Sequence, residues 1–217
     1  MAHENILRFP KISAFTCTLA HGTLKDLSGK DSAALLFAEC NVTLLVGMRV
    51  YTLSAGEVLL VPPSTFVSPT ERGKEFSGYR LLFPYDILSL FAPRMFFRSA
   101  DGGDLFAFPP TCIPRLYDRL SILAETRENT ATALPSLFSL LENEALPESG
   151  VPLPLPKLLR RALKYLNEHV NEDVTAAVLS ERYGVSESTI LRAFREYLSL
   201  TPLAYLKGLR SLREDEK

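Results

Sequence analysis

Apolar positions follow two different rhythms along the chain, and the rhythm changes near residue 84. Before it they gather in short runs of apolar or β-branched residues: Ile12–Leu19, Ala33–Cys40, Val42–Val46, Met48–Leu53, Val58–Val61 and Phe76–Phe83. Turn formers separate the runs, as in Asp26-Leu27-Ser28-Gly29-Lys30, Ser54-Ala55-Gly56-Glu57, Pro62-Pro63-Ser64 and Glu71-Arg72-Gly73-Lys74. Runs of this length, closed by Gly, Pro, Ser and Asp, predict strands. Strands this close together, with no helical pattern between them, predict an antiparallel sandwich or barrel rather than a parallel sheet.

After Pro84 the spacing becomes helical. Ile113, Leu116, Leu120 and Leu123 recur at steps of three and four, which places them on one face of a helix. Leu134, Leu137, Phe138, Leu141 and Ala145 form a second such stripe, with Pro135 expected in its first turn. Either stripe can pack on the strands or against a second copy of the chain. The stretch Leu146–Pro156 then carries prolines at 147, 152, 154 and 156, which forbids a helix and suits a stiff connection. The chain therefore divides into a strand-rich unit with following helices over 1–146, a linker over 147–156 and an all-helical segment over 157–217. The fold class is α+β.

Three helices are predicted beyond Pro156. The first, about Lys157–Val170, turns Leu158, Leu159, Ala162, Leu163, Leu166 and Val170 to one side. The second opens at Thr175, whose hydroxyl can accept from free backbone N–H groups, and closes at Tyr183-Gly184. Ser186 then caps a third helix, Glu187–Leu198. Val174 with Leu179, and Val185 with Ile190, are spaced as hydrophobic staples at the two helix starts. Two short helices joined through Gly-Val-Ser meet the requirement of a helix-turn-helix, a sharp glycine turn followed at once by a new cap. Ile190, Phe194 and Leu198 point inward on the third helix, which leaves Ser188, Leu191, Arg192 and Arg195 outward. Such a face can offer its early residues to base edges and its arginines to guanine or phosphate.

Charge and composition narrow the function classes. The chain of 217 residues is 47% hydrophobic and 23% charged, the profile of a folded soluble protein rather than a disordered one. No apolar run is long enough to cross a bilayer, and the start MAHENILRFPK lacks the basic-then-apolar pattern of a secretion signal, so a cytoplasmic location is expected. Cys17, Cys40 and Cys112 are odd in number and far apart, which fits neither a disulfide framework nor a zinc site. His3, His21 and His169 are not spaced as a ligand pair, so no metal or other cofactor is expected. There is no phosphate-cradling glycine loop, and no catalytic Ser/His/Asp set stands out, so an enzyme is not expected. Net charge is −1 overall, yet residues 157–210 hold nine Lys/Arg against six Asp/Glu, leaving −4 on the remainder. A basic segment on an acidic body is compatible with a polyanionic partner.

The string from Leu179 to Arg210 resembles the signature of the AraC/XylS family of transcription regulators. The match falls at Leu179, Gly184, Ser186, Arg192, Phe194, Thr201, Pro202, Tyr205 and Arg210, with Ile190 for leucine and Arg195 for lysine. Ser180 replaces the usual alanine, and Ser199 replaces the usual glycine after the third helix, where it implies strain. The resemblance implies double-stranded DNA as partner and base contacts at Ser188, Leu191 and Arg192, while Arg195 is a DNA-binding candidate from its place on the outer face of the helix. Leu191 can touch a thymine methyl but cannot hydrogen-bond a base. Family members continue past the equivalent of Arg210 into a second helix-turn-helix, for which Ser211–Lys217 has no room. One motif per chain implies weak, salt-sensitive binding, with homodimerisation as the compensation.

The segment Ala33–Phe83, above all Tyr51 to Ser64, is similar to the cupin-like N-terminal barrels of the same family. These imply dimerisation, a small effector or a regulatory partner protein. Phe15, Phe37, Tyr51 and Tyr79 are the candidate pocket residues, with core packing as the plainer expectation for each. The leading expectation is an AraC-type DNA-binding regulator. Its rival is an interaction or decoy module that pairs with full-length regulators or an antagonist protein. A cupin-fold enzyme comes last.

Overall fold

The computed structural model describes residues 3–8, 16–71, 74–100, 105–108, 110–125, 130–144, 146–147 and 153–212. Strands β1 (His3–Arg8), β2 (Thr16–Leu24), β3 (Ala33–Ala38), β4 (Val42–Val46), β5 (Arg49–Leu53), β6 (Val58–Val61), β7 (Val67–Pro69) and β8 (Phe76–Phe83) come first. Helices α1 (Asp86–Phe91) and α2 (Pro93–Ala100), strand β9 (Leu105–Ala107), helices α3 (Ile113–Glu125) and α4 (Thr130–Glu144) and the short β10 (Leu146–Pro147) follow. Four helices complete the order: α5 (Lys157–Glu168), α6 (Ala176–Tyr183), α7 (Glu187–Leu198) and α8 (Pro202–Ser211).

The strands form two antiparallel sheets, a seven-stranded one in the order β1-β2-β8-β3-β6-β9-β10 and a three-stranded one in the order β5-β4-β7. The two sheets face each other, and no ladder closes them among the described residues. The expected barrel is therefore an open two-sheet arrangement.

Strand parity explains why the runs are so uniformly apolar. Side chains alternate between the faces of a sheet. In β3, Leu35 and Phe37 join a core with α1–α4, while Leu36 and Ala38 join a core with the second sheet. β6 splits in the same way, Val58 and Leu60 toward the helices and Leu59 and Val61 toward the second sheet. A strand covered on both faces cannot afford a polar position, so all six residues of β3 are buried. In β4, Leu44 and Val46 face the first sheet, while Leu45 turns outward and, with Val50 of β5, packs against α5–α8. Helices, sheet, sheet and helices are thus stacked over three apolar cores.

Some expectations shift. The run read as Ile12–Leu19 is strand from Thr16 to Leu24, with 12–15 outside the described residues. β1, β7, α1 and α2 had no periodic signal. α1 and α2 are short and separated by Pro93, which takes the first position of α2, where its missing N–H costs nothing. α4 begins at Thr130, so Pro135 lies inside the helix and not in its first turn. Its fixed φ still suits a helix, at the loss of one backbone hydrogen bond. No helix among the described residues is long and apolar enough to cross a membrane.

Candidate nucleic-acid interface

Local chemistry sets the two helices of the motif. The Thr175 hydroxyl accepts from the Val178 N–H at 3.3 Å and opens α6. Gly184 closes it at φ 65°, a left-handed conformation that a Cβ disfavours, and Val185 N then donates to Ser180 O at 3.1 Å. Ser186 starts α7 at once, its Oγ accepting from Thr189 N at 3.2 Å. Val174, Leu179 and Ile190 are buried and Val185 is half-buried, as hydrophobic staples require.

α7 buries Ile190, Phe194 and Leu198. On its other side Ser188, Arg192 and Arg195 are exposed and Leu191 is half-buried. Steps of three and four place these residues on neighbouring ridges of one face. No ion pair ties Arg192 or Arg195 to Glu187 or Glu196 among the described residues, so both guanidinium groups keep their donors for an external acceptor. Ser188 differs: its Oγ lies 2.8 Å from Ser186 Oγ, which couples it to the helix cap. Exposed Lys157, Arg160, Arg161 and Lys164 on α5 add positive charge to the segment. Arg182 instead lies over the Tyr165 ring, 4.2 Å from its centroid.

Three matched positions have structural work. Arg210 Nε donates to Val170 O at 2.9 Å and Nη2 to Glu172 O at 2.8 Å, holding α8 against the turn between α5 and α6. Thr201 caps α8, accepting from Ala204 N at 3.1 Å. Tyr205, fully buried, accepts from Asn167 Nδ2 and donates to the carbonyl of Gly47. Ser199, where strain was expected, sits at φ 51° and ψ 20°. Its hydroxyl donates to the carbonyl oxygen of Thr70, just past β7. Neither Asn167 nor the contacts to Gly47 and Thr70 carry a signal in the sequence.

The pocket candidates divide, with Phe37 and Tyr79 as cross-strand partners on β3 and β8 and Tyr51 in another core. Phe37 and Tyr79 are buried on the helix side of the large sheet, Tyr51 is buried between the sheets, and Phe15 lies outside the described residues. Tyr79 stacks on His21 with ring centroids 4.0 Å apart. A cleft of about 210 Å³ lies instead between α3 and α4, lined by Arg119, Ser136, Ser139, Leu140, Asn143 and Glu144. Its polar groups bind one another: Arg119 Nε donates to Ser136 Oγ at 2.6 Å, and Asn143 Nδ2 to Ser139 O at 2.7 Å.

No family model matches the chain, and no curated protein does. Among solved structures it is similar to the AraC-like transcriptional activator CuxR, at 14% identity over 93% of this chain and 77% of that one, with a TM-score of 0.37. ToxT from Vibrio cholerae O395 aligns at 11% identity over 100% of this chain and 83% of that one, with a TM-score of 0.32. The protein Ylba from E. coli aligns at 24% identity over 38% of this chain and 37% of that one, with a TM-score of 0.28. Likenesses this distant assign the chain no function.

Proposed function

We propose that the chain is a cytoplasmic, sequence-specific DNA-binding transcription regulator of the AraC type, reading the major groove with the outer face of α7. One observation carries this reading. A helix opened by a glycine turn and a serine cap buries Ile190, Phe194 and Leu198 on one side and holds Arg192 and Arg195 exposed on the other, tied to no carboxylate among the described residues. Arg192 takes the base-reading role, as a guanidinium fork matches O6 and N7 of guanine. Leu191 supplies an apolar contact for a thymine methyl, Arg195 a phosphate contact, and Ser188 a hydroxyl shared with the cap. The two N-terminal sheets act as the cupin-like unit, which joins two copies and takes an effector or partner protein.

Selection of bound duplexes from a random pool, at near-physiological salt, tests the reading. Enrichment of a short motif, repeated at about one helical turn for a dimer, supports it. Retention of no duplex above background contradicts it and favours the interaction-module reading.

A further inference from the structure

The end of α7 and helix α8 are seated on the three-stranded sheet by three contacts. The Ser199 hydroxyl donates to Thr70 O. The Tyr205 hydroxyl donates to Gly47 O, at 3.1 Å, in the turn between β4 and β5. The third contact is steric: a Cβ on Gly208 would stand 2.1 Å from Cε2 of Phe66, closer than two carbons can approach. Glycine inside a helix is unfavourable by itself. The Phe66 ring lying against the α8 backbone explains why one is there.

Ser199 is the most informative of these. A left-handed residue closing a helix is most cheaply a glycine, because any Cβ crowds the backbone. The N–H of Ser199 donates to Arg195 O, a bond that glycine would make equally well. What serine adds is the hydroxyl, and that hydroxyl is committed to the sheet.

We propose that Ser199 is a positioning residue, whose hydroxyl clamps the end of α7 to the Phe66–Thr70 segment and so sets the direction of the outer face of α7. The clamp rests on this geometry, and its consequence for DNA rests on the function proposed above. With the clamp closed, α5–α8 and the two sheets move as one body. With it open, α7 keeps its caps and its core but loses its fixed direction. Ser199 lies at the rim, where water competes for the bond. One neutral hydrogen bond then shifts the equilibrium by about fivefold, which a signal arriving at the sheet can outweigh.

Amide hydrogen exchange on the full chain tests this with Ser199→Gly, Ser199→Ala and, at the neighbouring contact, Gly208→Ala. Both Ser199 variants lose the hydroxyl, but only glycine relieves the left-handed strain. The clamp predicts exchange about fivefold faster over 43–50 and 66–70 in both, with α6 and the start of α7 unchanged. Gly208→Ala is expected to speed the same sheet amides. A purely local role for Ser199 would separate the two variants at the end of α7 and leave the sheet unchanged in both, and that result overturns the proposal. Faster sheet exchange in Gly208→Ala alone also overturns it, since the docking would then not depend on Ser199. If the parent chain binds no duplex, the DNA consequence falls while exchange still decides the clamp.

Discussion

Asn167 Nδ2 donates to the hydroxyl of Tyr205 at 2.7 Å, and that hydroxyl donates onward to the carbonyl oxygen of Gly47. Asn167 also donates to Leu163 O at 2.8 Å, so a continuous chain of hydrogen bonds runs from the middle of α5 to the turn between β4 and β5. The Tyr205 ring is fully buried and meets Phe66 edge-on, with centroids 5.4 Å apart.

Tyr205→Phe keeps the ring and leaves both an amide and a carbonyl without this partner. Urea unfolding is expected to show a loss of about 1 kcal/mol, the net worth of one hydrogen bond, since Asn167 and Gly47 are half-buried and Asn167 keeps its bond to Leu163 O. An unchanged midpoint would show that water replaces the hydroxyl without cost.

The turn between α6 and α7 depends on two residues for different reasons. Ser186→Ala removes the Oγ that accepts from Thr189 N, and a loss of about 1 kcal/mol is expected. Nothing lies within 4 Å of a Cβ placed on Gly184, so Gly184→Ala costs only the left-handed backbone strain, about 1–2 kcal/mol. Thermal melts of the two variants check both values, and a neutral Gly184→Ala would contradict the φ of 65°.

Thiol accessibility and alkaline stability follow from burial. Cys40 is exposed, while Cys17 and Cys112 are buried, so one thiol is expected to react quickly in the native chain and all three after unfolding. Burial pushes the Cys17 thiol up to about 12 from an ordinary value of 9.0. Burial, with Glu39 as a further cause, pushes the Tyr117 phenol to about 12 from 10.0. Between the unfolded and folded values the unfolded chain binds fewer protons than the native one. Stability should therefore be unaffected by these groups below about pH 9 and fall as pH rises toward 12. Urea midpoints at pH 8 and 10.5 check the sign, and a rising midpoint would contradict it.

What could be read from the sequence had local causes. Short apolar runs closed by turn residues marked β3–β6 and β8, and the caps at Thr175 and Ser186 marked α6 and α7 almost to the residue. The polar His3–Arg8 segment is a strand because it pairs with β2, in a register from His3↔His21 to Arg8↔Thr16, and it has no pattern of its own. Of the pocket candidates, Phe37 and Tyr79 pair across β3 and β8 on the helix side, while Tyr51 faces the gap between the sheets; alternation along a strand does not say which layer each face meets. Ser199 stood out as a departure from a glycine. Its reason, the carbonyl of Thr70, lies 129 residues away and emerges only in the fold.

The most direct test of the DNA reading is an anisotropy titration of the parent and Arg192→Ala chains against the selected duplex and a scrambled one, at fixed salt. The predicted result is a loss of about 5- to 150-fold for Arg192→Ala on the selected duplex, the range for one arginine–guanine pair, with little change on the scrambled one. Equal affinity of the two chains for the selected duplex would contradict the assignment of α7 as the reading helix.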